Sequence, residues 1–181
     1  MIGLNGERKR DIYQHNLIDR MYEIEKLYPY FPNLPRTTPK SKADPSYNCI
    51  AFAAGDNKRI WDPLPSPNYH WPTEEYYDYS LEACIRVFET VGFIICDNPD
   101  LEDGFEKIAI WSKGNEYEHA AKQRVDGKWM SKVGFCEDIE HELDDFYCTD
   151  PIESYGNIAC YMKRPRPVRP KHRSRSSGSS T

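Results

Sequence analysis

The sequence predicts an α+β domain in which N-terminal helices pack on an antiparallel sheet. Helical spacing of apolar residues occurs before Gly92, whereas the pattern after it alternates with the period of a strand. The chain has 181 residues, a length that fits one compact domain with tails. Its content of 39% hydrophobic and 13% aromatic residues excludes a wholly disordered chain.

Three helices are predicted in the first half of the chain. Residues 11–27 carry apolar side chains at helical spacing, and Asp11 can cap their first turn. A short helix over residues 48–54 is followed by a glycine that stops it. The clearest helix, over residues 81–91, begins after the capping residue Ser80 and also ends at a glycine.

Two proline-rich stretches lie between these helices. Prolines across residues 29–45 predict an extended arm on the surface of the domain. The loop over residues 61–71 is long and irregular, which is unusual inside a compact domain unless the loop has a function. Its aromatic residues Trp61, Tyr69 and Trp71 could line a substrate groove, or they could pin the loop to the core.

Five antiparallel strands are predicted after the last helix, over residues 93–96, 107–111, 117–125, 128–133 and 155–162. The Asp-Gly pair at 126–127 indicates a two-residue hairpin between the third and fourth of these strands. Because side chains alternate along a strand, this register places His119 and Ser131 on opposite faces, unless a three-residue loop shifts it.

The charges are segregated along the sequence. The whole chain has a formal charge of −5, and no acidic residue accompanies the seven positive charges that follow residue 162. The first 162 residues therefore carry a formal charge of −12. These features divide the chain into an N-terminal helix and arm (1–46), a core (47–162) and a basic tail (163–181) that we expect to be disordered.

Composition argues against several classes of protein. No apolar run reaches the ~18 residues of a membrane helix, so we expect no membrane span. The N-terminus lacks a signal-peptide pattern, which predicts a cytoplasmic protein unless a specialised route delivers it. The acidic core argues against nucleic acid as its ligand, whereas the basic tail could bind a protein partner. Six cysteines without a Cys-x-x-Cys pair predict free thiols, with no metal and no cofactor.

Cys49 is the strongest candidate for a nucleophile. It lies at the start of the predicted helix over residues 48–54, where unpaired amides and the helix dipole lower a thiol pKa and could stabilise an oxyanion. His119 lies in the middle of a strand beside two alanines, and it could act as the general base. The alternative is a packed cysteine and a histidine that is hydrogen-bonded within the sheet.

This order of elements resembles the papain-like cysteine hydrolases, in which a cysteine-bearing helix, a second helix and a sheet with a histidine follow one another. The resemblance is closest to the minimal cell-wall peptidases and amidases of bacteria. It implies that the Cys49 thiolate attacks a peptide or amide carbonyl while His119 moves the proton.

Several short motifs also resemble a family of uncharacterised bacterial proteins over residues 47 to about 165. They are Tyr-Asn-Cys-Ile-Ala from residue 47, His-Ala-Ala from 119, Trp-Met-Ser-Lys-Val-Gly from 129, Ile-Glu-His from 139 and Tyr-Gly from 155. This second resemblance implies no activity.

A papain-like site also implies a third polar residue that orients the imidazole, and Ser131, Asp138 and His141 are the candidates. Asp138 follows soon after the strand passes His119 and is preferred narrowly over His141, whereas the two-residue register disfavours Ser131. The sequence therefore predicts a thiol hydrolase or acyl-transfer enzyme that acts on a peptide or amide through Cys49, His119 and Asp138. The alternative is a catalytically inactive binding or effector module.

Overall fold

The computed structural model describes residues 24–74 and 77–167, and its main feature is a seven-stranded antiparallel sheet. The strands of this sheet are β1 (Thr38–Pro39), β4 (Ile94–Cys96), β5 (Phe105–Lys113), β6 (Glu116–Gln123), β7 (Trp129–Lys132), β8 (Asp138–His141) and β9 (Asn157–Pro165). Their order across the sheet is β1-β8-β7-β6-β5-β9-β4. Two short strands, β2 (Ile60–Trp61) and β3 (Tyr69–His70), form a separate parallel pair.

Two α-helices occur in the described part of the chain, α1 (Cys49–Ala54) and α2 (Leu81–Thr90). The Asn48 side chain caps α1 by accepting a hydrogen bond from a backbone amide at 3.1 Å, and Ser80 caps α2 in the same way. Both of these predicted helices are confirmed. Three short 3-10 turns accompany them, at Ile24–Leu27, Leu34–Arg36 and Leu143–Phe146.

Both faces of the sheet are covered. The helical face packs against α1 and α2 through the buried side chains of Ile108, Ile110, Ala120 and Met162. The arm face packs against the 3-10 turns through the buried side chains of Ala109, Trp111, Ala121, Trp129 and Ile139. Neighbouring residues of one strand thus contribute to opposite cores, because side chains alternate along a strand.

The predicted fold class is wrong. The described chain is mostly antiparallel sheet, with one long helix and one helix of six residues, rather than N-terminal helices packed on a sheet. Strand β1 precedes both helices, so the papain-like order of helices followed by a sheet is not observed. The predicted helix over residues 11–27 lies outside the described residues as far as residue 23, and Ile24–Leu27 is a 3-10 turn.

The sequence predicts fewer strands than the structure contains, because several strands are very short. β1, β2 and β3 have two residues each, which is too short for an alternating pattern to be recognised. β1 also contains Pro39, a residue that sheets accept at an edge, and β1 is an edge strand. β8 lies in an acidic run and shows only four residues of alternation.

The five predicted strands are confirmed as β4, β5, β6, β7 and β9, but the hairpin between β6 and β7 has a different register. The Arg124 amide donates to the Lys128 carbonyl at 2.8 Å, so residues 125–127 form a three-residue loop with its glycine at φ 86°. Ala121 consequently pairs with Ser131. This shift of one residue puts Ser131 on the same face as His119.

Arg164 links the end of β9 to both helices. Its guanidinium donates hydrogen bonds to the carbonyls of Ala54 at 3.0 Å and Val91 at 2.9 Å, where α1 and α2 end. It also forms an ion pair with Glu106 and lies 4.3 Å from the centre of the Phe93 ring. Part of the predicted basic tail therefore belongs to the sheet, while residues 168–181 lie outside the described chain.

Gly156 precedes β9 where the backbone passes very close to β5. A Cβ at this position would lie 2.0 Å from the Ser112 carbonyl oxygen, and the residue has φ 77°. We expect Gly156→Ala to lower the free energy of unfolding by on the order of 3 kcal/mol, measured by urea denaturation. Gly104→Ala is the matched control, because Gly104 has φ 79° and open space around the same position among the described residues. It should cost about 1 kcal/mol, and equal losses in the two variants would contradict the close contact.

Candidate functional site

The structure places the side chains of Cys49 and His119 on opposite faces of the sheet. Cys49 is the first residue of α1 and packs against the core of the helical face, where the backbone amide of Ala120 hydrogen-bonds its sulfur. The His119 ring lies on the arm face and stacks on Tyr155, with centroids 4.5 Å apart. The two side chains therefore pack in different cores, and no hydrogen bond joins them among the described residues.

Burial raises the pKa of the Cys49 thiol to about 11. Hydrogen bonds from backbone amides, of which that of Ala120 is the strongest, lower the pKa but do not offset the cost of desolvating a thiolate. The helix behind Cys49 has only six residues. The thiol is therefore protonated at neutral pH, whereas its position at a helix start led us to expect a lowered pKa.

His119 belongs to a buried chain of hydrogen bonds on the arm face. Its Nε2 lies 2.9 Å from Ser131 Oγ, and Ser131 Oγ lies 2.8 Å from His141 Nε2. His141 Nδ1 lies 2.7 Å from the carbonyl oxygen of Glu142. The three side chains are 1%, 0% and 3% exposed, so a substrate in solvent does not reach the Ser131 hydroxyl.

The hydrogen-bond chain fixes the position of each proton. Burial lowers the pKa of His119 well below 6.5 and that of His141 to about 4, so both rings are neutral at pH 7. Because the Glu142 carbonyl only accepts, His141 carries its proton on Nδ1 and accepts the Ser131 hydroxyl proton at Nε2. Ser131 then accepts from His119 Nε2–H. All four groups are used in these bonds, which favours a structural role for the two histidines.

Asp138 does not contact His119. Its carboxylate faces the helical side of β8, where the Tyr47 hydroxyl lies 2.9 Å from each of its oxygens. Lys132 Nζ lies 3.9 Å from the same carboxylate. The two other candidates for a third residue, Ser131 and His141, do lie with His119, and recognition of the three-residue hairpin loop would have indicated Ser131.

Trp61, Tyr69 and Trp71 line neither of the two grooves found among the described residues. Trp61 is 3% exposed and its indole N–H donates to Asp56 at 3.0 Å. Trp71 stacks on Tyr117, with ring centroids 6.2 Å apart, whereas Tyr69 is exposed. A groove of about 470 Å³ does lie nearby, but its walls are residues 63–65, 77–80 and 115–116. The two tryptophans therefore pin the loop to the core.

A second groove, which we call the acidic groove, lies beside the β6–β7 hairpin. It has a volume of about 520 Å³, within the range of ligand pockets. The carboxylate-bearing residues that line it are Asp100, Glu142 and Asp144. Apolar and amide groups complete the lining, from Pro99, Leu101, Gln123, Gly127, Trp129 and Leu143. Sequence reasoning missed this site, because its walls come from three separate loops.

Gln123 is the most informative residue of the acidic groove. It is 4% exposed, and its Nε2 donates to the Pro99 carbonyl at 2.7 Å and faces the Gly127 carbonyl at 3.5 Å. These carbonyls accept only, which fixes the orientation of the amide. Among the described residues, no donor reaches Gln123 Oε1. A buried acceptor without a donor costs about 1–3 kcal/mol, so one end of this amide is left unsatisfied.

The buried histidines hold one wall of the acidic groove. His141 pairs with Trp129 across β7 and β8, and the hydrogen-bond chain ends at the Glu142 carbonyl. Glu142 caps the 3-10 turn Leu143–Phe146, whose Asp145 side chain accepts from the Glu142 amide at 2.8 Å. The hydrogen-bond chain that contains His119 therefore positions residues 142–144 of the groove.

A family model described as a domain of unknown function (DUF7689) matches residues 38–163, from β1 to near the end of β9. The chain belongs to this family. No curated protein and no solved structure gives a significant match. The predicted resemblance to an uncharacterised family is thus confirmed, whereas the bacterial origin of that family stays a prediction.

All six cysteines of this DUF7689 chain are free thiols. Within residues 24–74 and 77–167, no helix has the length and apolar character needed to cross a membrane.

The buried imidazoles predict a loss of stability in acid. His141 has a pKa of about 4 in the folded protein, below its ordinary value of 6.5, so the unfolded chain binds more protons between these pH values. The free energy of unfolding should therefore fall as the pH drops from 6.5 to 4, by on the order of 3 kcal/mol from His141. His119 adds to the fall in the same direction.

Urea unfolding at pH 7 and pH 4.5 measures this loss in the wild type and in His141→Gln, whose amide cannot be protonated. The variant should lose less stability on acidification than the wild type. His70→Gln is the comparison: burial also lowers the pKa of His70, but this ring is half-buried and lies outside the hydrogen-bond chain, so its replacement should reduce the loss less than His141→Gln does. An identical loss in wild type and His141→Gln would show that His141 is not a buried neutral imidazole.

Proposed function

We propose that this DUF7689 domain is a non-catalytic binding module that receives an arginine side chain in the acidic groove. The observation that carries the proposal is the buried Gln123 Oε1, an acceptor without a donor among the described residues, in a groove with three carboxylates. A ligand for this groove should therefore be cationic and should donate several hydrogen bonds.

A guanidinium fits these requirements better than other cations. It is planar and carries five N–H donors in a fixed geometry, so one group can reach both an amide oxygen and a carboxylate. Leu101 and Leu143 offer apolar contact for the methylene groups of the side chain. An ammonium is a compact point charge and is less suited to a site with one fixed acceptor and a spread of carboxylates.

The carboxylates of the acidic groove have no cation partner among the described residues. Asp100, Glu142 and Asp144 are exposed, and no lysine or arginine among the described residues forms an ion pair with them. Lys107, whose ammonium contacts Asn98 beside the groove, is already paired with Glu102. The described residues also contain no cluster of three His, Cys, Asp or Glu that could hold a metal ion, which favours an organic cation.

The thiol hydrolase remains a prediction from the sequence, and the geometry lends it no support. Cys49 is half-buried and its thiol is protonated at neutral pH, and His119 faces the other side of the sheet. Neither residue lines either of the grooves described above. The alternative that the sequence left open, a binding module without catalysis, agrees better with these positions.

A titration with acetyl-arginine-methylamide, followed by the backbone amide signals of the labelled full-length protein, tests the proposed function. We expect saturable shifts at residues 99–101, 123–129 and 142–144. The uncharged isostere acetyl-citrulline-methylamide should produce none of them. Equal binding of the two compounds, or shifts confined to other regions, would overturn the proposal.

Two variants separate the groove from general surface charge. Asp144→Asn removes a groove carboxylate and should weaken arginine binding by about fivefold, as expected for one exposed charge pair. Asp103→Asn removes an exposed carboxylate outside the lining and should leave the affinity unchanged. An equal loss in both variants would indicate attraction to the acidic surface rather than binding in the groove.

A further inference from the structure

We propose that the arginines of residues 168–175 of this chain occupy its own acidic groove and compete there with other arginine ligands. The inference rests on the proposed function and adds a regulator to it. The segment would then weaken the binding of other arginine ligands to the groove.

Charge complementarity is the first support. Residues 168–175 contain Arg169, Lys171, Arg173 and Arg175 and no acidic residue. Three of these four cations are arginines, the side chain that fits the fixed Gln123 acceptor. The groove offers three carboxylates that have no cation partner among the described residues.

The basic residues upstream of this segment are already used by the fold. Lys163 donates to Glu102 at 2.8 Å, and Arg164 is held by Glu106 and the ends of both helices. These cations cannot enter the groove without breaking contacts of β9. The positive charges that remain for the groove therefore lie beyond Pro167, the last described residue.

The chain leaves the described structure close to the groove. The Arg166 amide donates to the Gly104 carbonyl at 2.8 Å, and the Arg166 guanidinium donates to the Phe105 carbonyl at 2.8 Å. Gly104 is three residues from Leu101, a groove residue, so their Cα atoms lie at most about 11 Å apart. The seven residues from Arg166 to Arg173 can span up to roughly 24 Å, which is enough to reach the groove.

Competition within one chain can be strong even when each contact is weak. A short connection gives an attached segment an effective concentration in the millimolar range. If the segment binds with a dissociation constant of about 0.1 mM, the intact chain should bind an external arginine peptide about tenfold more weakly than a chain whose segment cannot compete.

The test compares the full-length wild type with a full-length variant that carries Arg169→Gln, Lys171→Gln, Arg173→Gln and Arg175→Gln. These positions follow Pro167, the last described residue. The probe is a peptide with the sequence of residues 168–175, acetylated and amidated, and its affinity is measured by calorimetry. We expect the variant to bind the peptide about tenfold more tightly than the wild type, and Asp144→Asn to weaken that binding in the variant.

A charge-matched variant separates guanidinium binding from long-range attraction. Arg169→Lys, Arg173→Lys and Arg175→Lys together keep the charge but remove the planar donors. This variant should also bind the external peptide several-fold more tightly than the wild type. A lysine variant that competes as well as the wild type would overturn the assignment of the groove to the segment's arginines.

The remaining outcomes distinguish failure of this inference from failure of the proposed function. Equal peptide affinity for wild type and glutamine variant would overturn the inference and leave the arginine-binding groove intact. No peptide binding and no shift with acetyl-arginine-methylamide in any variant would overturn the proposed function as well. A concentration-dependent mass of the wild type that the glutamine substitutions abolish would place the segment in the groove of a second copy and overturn occupancy within one chain.

Discussion

The alternation of side chains along β6 is the constraint on which the rest of the structure depends. Ala120 points into the core beneath α1 and α2, while His119 and Ala121 point into the core beneath the 3-10 turns. One strand therefore supports two separate cores with adjacent residues. The same alternation puts Cys49 and His119 on different sides of the sheet. Two residues that the sequence suggests as a catalytic pair therefore pack in two different cores.

A buried polar network on the arm face supports one wall of the acidic groove. His119, Ser131 and His141 satisfy one another in a dry environment, and the Glu142 carbonyl takes the last hydrogen bond. A buried polar chain of this kind is stabilising when every member is satisfied, and it specifies one arrangement of its surroundings. The acidic turn after β8 is held in place by this chain. Gln123 differs from this network. Its amide nitrogen donates a hydrogen bond, whereas its Oε1 receives none from the described residues.

Local signals in the sequence predicted the elements but not how they come together. The caps Asn48 and Ser80 and the glycines after both helices act within one turn, and both helices follow from them. Strands with a clear period were recognised, whereas two-residue strands that exist only through pairing were not. The hairpin register depended on one extra loop residue, and that residue decided whether Ser131 or Asp138 lies beside His119. The acidic groove depends on tertiary contacts between three loops, which no local pattern reveals.

The pKa of the Cys49 thiol, measured in the wild type and in His119→Gln, tests the separation of the two residues most directly. Site-resolved mass spectrometry of iodoacetamide alkylation across pH 6 to pH 12 gives this value despite the five other cysteines. We expect a pKa of about 11 in both proteins, because burial sets it and the imidazole lies across the sheet. A wild-type pKa below 8 that rises when His119 is replaced would contradict this, since it would mean that the histidine and the thiol act as a pair.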